Sequence, residues 1–223
     1  MTTWVWLRSS LRARQLPRSI EGMAISAMTL HSVLDVAGLA VASVYCTIPL
    51  FWLVFHPFVE RWRQYGRRAY VAILPLWGLF IAAAFALGWP FRHLHLYESK
   101  VPWAMGVLFI LAGFSIYRLA SQGFNPTKIS GLAELEPQQH DQKLVITGIR
   151  TQVRHPIYLG HLCEVLGWTI GTGSLALCGL LIFAAITGAI MIRKEDAELE
   201  KRFGDVYRQY RNTVPALLPK FPL

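Results

Sequence analysis

Three stretches of the chain, residues 30–55, 69–91 and 101–120, are apolar on all helical faces instead of along one stripe. A helix that crosses a bilayer needs about 20 mostly apolar residues, and each stretch meets that length. A fourth apolar region, 157–192, is too long for one crossing and is broken at Gly171-Thr172-Gly173-Ser174. Divided there, it gives two short spans, 157–173 and 174–192, joined by a tight turn. The pattern predicts an all-α integral membrane protein with about five transmembrane helices, the last two forming a tight helical hairpin. A soluble helical core would need helices with a polar face, which these spans lack.

Outside the spans the periodicity changes. Leu199, Phe203, Val206, Tyr207 and Tyr210 follow the i, i+4, i+7, i+8, i+11 spacing of one apolar stripe. This predicts a cytosolic amphipathic C-terminal helix, ended by Pro215 and followed by an extended 214–219. Such a helix either lies on the membrane surface or folds back as a lid over a cytosolic pocket. The loop 121–156 is irregular, with Gly123, Asn125-Pro126, Gly131, Pro137 and Gly148, and a β-like piece at 143–149. Three regions result: a basic, interfacial segment at 1–28, three spans at 29–120, and a catalytic region at 121–223 made of the loop, the hairpin 157–192 and the lid helix.

Composition and charge fit this picture. The chain is 54% hydrophobic and 16% charged, against about 25% charged for soluble domains. A net charge of +9 would suggest nucleic-acid binding in a soluble protein. Here the arginines flank spans, where they set orientation and meet anionic headgroups, so no nucleic-acid partner is expected. Arg61, Arg63, Arg67 and Arg68 place loop 57–68 in the cytoplasm, and the short, nearly neutral 91–100 outside. Loop 121–156 and the C-terminus then fall inside. The same parity puts the N-terminus outside, against Arg8, Arg12, Arg14 and Arg18. That segment is too charged at its start to be a signal peptide. Cys46, Cys163 and Cys178 all lie in apolar spans with no zinc spacing, so neither a metal nor a disulfide framework is expected.

The candidate chemistry sits at the hairpin's doorway. Arg154-His155-Pro156 begins the fourth span. Proline in a helix's first turn sacrifices no needed N–H, and the helix start offers donors and a positive dipole end to an anion. Arg154 adds a fork suited to a carboxylate, Tyr158 lies one turn from His155, and Gly160 allows close approach. Deeper in the span, Glu164 is expensive to bury in lipid. It stands i+3 from His161; the two form either a structural pair or a proton-accepting, substrate-orienting one. The hairpin's exit must return near its entrance, bringing Arg193, Glu195 and Asp196 beside Arg154 and His155. Glu195 shares the stripe of Leu199 and Phe203 and should face inward. Glu198, Glu200, Lys201 and Arg202 suit a solvated face.

The ordered motifs, Gly148 through Val153-Arg154-His155-Pro156-x-Tyr158-x-Gly160, then Arg193-x-Glu195-Asp196-x-x-Leu199-x-x-x-Phe203-Gly204-x-x-Tyr207-x-x-Tyr210-x-x-x-Val214-Pro215 to Pro219, resemble those of the isoprenylcysteine carboxyl methyltransferase and phospholipid methyltransferase superfamily. The resemblance covers about the C-terminal third. It implies a multi-span helical enzyme that binds S-adenosylmethionine at the cytosolic membrane edge, under a C-terminal lid, with a lipophilic acceptor entering from the bilayer. It further implies that His155, Pro156, Tyr158, Gly148, Glu195 and Tyr207 contact the cofactor, and that Arg154 or Arg193 holds a carboxylate or polarises the acceptor. His161 and Glu164 would serve an acceptor that must lose a proton. Arg150 stands where the family often has an aromatic residue, and Glu164 does not carry over from the prenylcysteine enzymes. The expected reaction is methyl transfer to a carboxylate of the isoprenylcysteine type; alternatives are a phospholipid headgroup amine or a thiol, a sterol-reductase-like NADPH enzyme, and a non-enzymatic membrane protein. The membrane would be the cell membrane of a prokaryote or the endoplasmic reticulum of a eukaryote.

Overall fold

A computed structural model describes residues 18–122, 126–139 and 143–219. The interfacial helix expected before residue 18 lies outside the described residues. The helices are α1 (Arg18–Phe55), α2 (Val59–Arg63), α3 (Tyr70–Gly88), α4 (Pro102–Ser121), α5 (Pro126–Ile129), α6 (Leu132–Leu135), α7 (Pro156–Thr172), α8 (Leu175–Phe203) and α9 (Asp205–Thr213). Four helical stretches among the described residues are long and apolar enough to cross a membrane: Leu30–Arg63, Gly66–Phe91, Pro102–Ser121 and Leu175–Phe203. The fifth expected position is taken by α7, a shorter 17-residue helix with much of its surface buried.

The reason α7 is buried lies in its glycines. A side chain on Gly106 of α4 would meet the Gly167 carbonyl at 2.6 Å, and one on Gly160 of α7 would meet the Tyr117 ring at 2.4 Å. Without a hydrophobic force between helices in lipid, close backbone approach of this kind drives their association. On its other side α7 meets α1 and α8 through Leu39, Ala42, Val165, Ala176 and Leu177. The outer faces of α3 and α4 expose Val71, Leu79, Leu87, Leu108, Leu111 and Phe114, a surface suited to hydrocarbon.

One end of the bundle is pinned by polar contacts. Asp35, buried in α1, accepts from His95 Nε2 at 3.0 Å. Leu96 N donates to Gly173 O at 2.9 Å and Leu175 N to Leu94 O at 2.8 Å, fastening the connection after α3 to the α7–α8 turn. The opposite end gathers the C-terminus of α1, the start of α3, the loop helices α5 and α6, the start of α7 and the charged end of α8.

Three local expectations change. Residues 143–146 have no regular secondary structure, and Gly148–Thr151 is a single 3-10 turn, so no β piece precedes the doorway. The second hairpin helix does not stop at 192 but continues through the charged sequence to Phe203. The tail is not one helix either. Gly204 adopts φ 59° and ψ −133°, a conformation open to glycine, and α9 starts on a new axis. Tyr207 is buried while Val206 is 60% exposed, so Val206 leaves the predicted stripe.

Candidate active site

The doorway sequence is clasped by the tail. His155 precedes α7, whose first residue is Pro156. The extended segment after α9 lies across it: Arg154 N donates to Pro215 O at 2.9 Å and His155 N to Ala216 O at 3.0 Å. The Arg154 side chain reaches the same segment, donating to Arg211 O at 3.1 Å and to Val214 O.

Returning along the hairpin, α8 delivers Asp196 into the centre of this cluster. Its carboxylate takes Arg154 Nη2 at 2.7 Å, His155 Nε2 at 2.8 Å and the Tyr207 hydroxyl. Glu195 Oε2 stands 3.4 Å from His155 Nδ1, so both ring nitrogens of His155 face carboxylates. Burial opposes a charge on this imidazole, but Glu195 and Asp196 outweigh it and lift its pKa from 6.5 to about 9. Burial pushes the Tyr207 phenol up, and its hydrogen bond to Asp196 raises it further. Arg150 is also buried, which lowers its pKa; its guanidinium donates to Ala120 O at 2.8 Å, while Tyr210 donates to Arg150 O at 2.6 Å.

Beside this cluster lies a cavity of about 670 Å³, within the range of about 300–1,000 Å³ usual for small-molecule sites. Arg154, His155, Pro156, Tyr158, His161, Glu195 and Tyr207 line it. Six of these seven belong to the doorway and tail motifs, so two segments about 40 residues apart converge on one space. A smaller cavity of about 140 Å³ between α1, α7 and α8 shares Tyr158 and His161 with the first.

The remaining predicted residues go elsewhere. Arg193 is exposed and does not line the cavity. Two helical positions before Glu195, it projects about 200° away around α8. Gly148 sits at the start of its 3-10 turn, with φ 62°, and is likewise absent from the wall. Glu164 is 2% exposed and faces α4, where its Oε1 packs on Gly113 and has no hydrogen-bond partner among the described residues. The expected His161–Glu164 pair does not form; His161 Nδ1 bonds instead to the Tyr117 hydroxyl at 2.6 Å. Glu198 and Arg202, expected on a solvated face, line the cavity. The sequence reading also missed another part of the wall, where His56, just after α1 and stacked on Trp52, meets Glu134 of α6. Nothing in the local pattern marks them, because the pairing spans 78 positions.

A sequence-family model of phospholipid methyltransferases matches residues 103–206, from the start of α4 into α9. The protein-S-isoprenylcysteine O-methyltransferase of Schizosaccharomyces pombe is 37% identical over 85 residues, which are 37% of this chain and 35% of that protein. Methanethiol S-methyltransferase 1 of Bradyrhizobium diazoefficiens is 41% identical over 70 residues, 30% of this chain and 23% of that one. An uncharacterized protein of Haemophilus influenzae is 41% identical over 59 residues, 94% of its own length. The chain thus spans about a third or less of the two named methyltransferases. No solved structure matches it. The apolar helices and these similarities define an integral membrane protein. Over residues 103–206 the chain is similar to the membrane methyltransferase superfamily that takes in the phospholipid and isoprenylcysteine families.

Proposed function

We propose that the protein transfers a methyl group from S-adenosylmethionine to a lipophilic acceptor at the cytosolic edge of its membrane. The observation that carries this reading is Glu195. Its carboxylate lines the cavity, and Oε2 is buried with no hydrogen-bond partner among the described residues. Oε2 has an ion-pair partner, His155 Nδ1 at 3.4 Å, but no hydrogen bond among the described residues; a buried carboxylate left so, in a cavity that Tyr158 and Tyr207 also line, suits a ligand that brings a cation or an N–H donor. S-adenosylmethionine brings both, and supplies an electrophilic methyl group when bound.

The chain's own residues would do the rest. Glu195 and Tyr158 would hold and orient the donor, His155 would fix Glu195 in place, and Tyr207 with the tail would exclude water. Methyl transfer needs an in-line approach, so positioning supplies much of the catalysis. Arg154 is committed to Asp196 and two tail carbonyls; it would act by fixing the lid. An acceptor carboxylate of the isoprenylcysteine type would therefore need another cation of the cavity wall, where Lys128, Lys143 and Arg202 stand. A phospholipid amine or a thiol needs none, only removal of its proton.

The test is equilibrium binding of S-adenosylmethionine and of its demethylated product to detergent-purified protein, with Glu195→Ala alongside. Saturable binding, weakened at least about tenfold in the variant, is expected. No binding by folded protein would overturn the reading; a nicotinamide titration would then separate a reductase from a non-enzymatic protein.

A further inference from the structure

The 3-10 turn that follows α1, His56–Phe58, presents His56 to the same cavity as Glu195. Its Nδ1 lies 3.0 Å from Glu134 Oε2 of α6. The ring is stacked on Trp52, with centroids 4.8 Å apart and planes 17° from parallel, and Phe55 meets it edge-on. Two aromatic rings and one carboxylate thus fix its orientation. A carboxylate at Nδ1 holds the proton there and leaves Nε2 as a lone pair. The one side-chain hydrogen bond of His56 among the described residues is that of Nδ1. His155 differs on this point, since both its nitrogens face carboxylates. The other charged groups acting on the His56 ring are Glu195 and Glu198 of α8.

We infer that His56 is the general base of the transfer and Glu134 its positioning residue, so that the acceptor reacts through a group that must first lose a proton, a thiol or an ammonium. Nε2 takes the proton from S–H or N–H. The freed lone pair forms the bond to the methyl carbon while the carbon–sulfur bond of the sulfonium breaks, its electron pair returning to sulfur to leave a neutral thioether. The imidazolium, stabilised by Glu134, passes the proton to water. An acceptor carboxylate, already ionised, needs no such group.

This inference rests on the methyltransferase reading, and the experiment separates the two. Detergent-purified full-length protein is first titrated with S-adenosylmethionine; failure there is failure of the reading, not of His56. Wild type, His56→Gln and Glu134→Gln are then assayed with three probes: dodecanethiol, phosphatidylethanolamine and a prenylcysteine carboxylate. Expected is turnover of a protic probe that His56→Gln reduces at least about 100-fold, with cofactor affinity within about twofold of wild type. The thiol and amine arms distinguish the two acceptor sources. Glu134→Gln should give a smaller loss and a displaced pH–rate limb. A readout independent of turnover is the ¹⁵N spectrum of histidine-labelled protein, in which neutral His56 should be the Nδ1–H form and should change in Glu134→Gln. Should His56→Gln fail to fold, this spectrum and Glu134→Gln carry the test. Wild-type rates in His56→Gln, activity on the carboxylate alone, or an Nε2–H tautomer would each overturn the inference.

Discussion

Two histidines line one cavity, and their surroundings assign them different work. His155 lies between Glu195 and Asp196, with its backbone N–H taken by the tail. It is a charged strut whose ring nitrogens are both committed. His56 has one carboxylate partner, and its second nitrogen stands open among the described residues. The lesson is that the number of carboxylates around an imidazole separates a cation built for architecture from a base poised for proton transfer.

The contrast breaks most severely at Asp196. Asp196→Ala removes the shared partner of Arg154, His155 and Tyr207, leaving Arg154 without its carboxylate and His155 with Glu195 alone, at a cost of about 3–5 kcal/mol. A Tm lower by about 10 °C is expected in detergent melting curves, together with loss of S-adenosylmethionine binding. Stability equal to wild type would show that the cluster is not the strut described.

The pH dependence sharpens the same contrast at His155. Its pKa is raised by folding from 6.5 to about 9, so the protonated ring contributes stability that is fully present below pH 6.5 and lost as pH rises through 9. Melting temperatures of wild type should fall between these limits. His155→Gln should start lower and show a flatter profile; parallel profiles would refute a charged His155. The smallest effect belongs to Arg193. Exposed and turned from the cavity, it should tolerate Arg193→Ala with cofactor affinity within about twofold and stability within about 0.5 kcal/mol. A tenfold loss of affinity would return it to the site.

How much of this was legible in the sequence follows from what each signal constrains. Hydrophobic length located the long helices, and the Gly171–Ser174 interruption located the turn. The return of a hairpin near its entrance was enough to bring Arg154 and His155 beside Glu195 and Asp196. Helical phase was harder. A span apolar on every face gives no angle to its neighbours, so Glu164 could be judged buried without revealing that it turns to Gly113 of α4 while His161 turns to the cavities. Arg193 and Glu195 were close in sequence, but two helical positions separate opposite sides. The break at Gly204 was hidden because the apolar spacing continues across it, and Val206 paid no visible penalty in that pattern. His56–Glu134 joins the end of a span to an irregular loop, a pairing that no periodicity encodes.

The tail's hold on the doorway is made largely of main-chain atoms: the carbonyls of Pro215 and Ala216 receive the amides of Arg154 and His155, and those of Arg211 and Val214 receive the Arg154 fork. A latch of carbonyls is indifferent to the side chains that decorate it. Side chains add to it only where Ala216 and Leu217 pack against Tyr158, Met191 and Ile192, and an ester linkage placed at one of these carbonyls would loosen the latch without altering a single side chain.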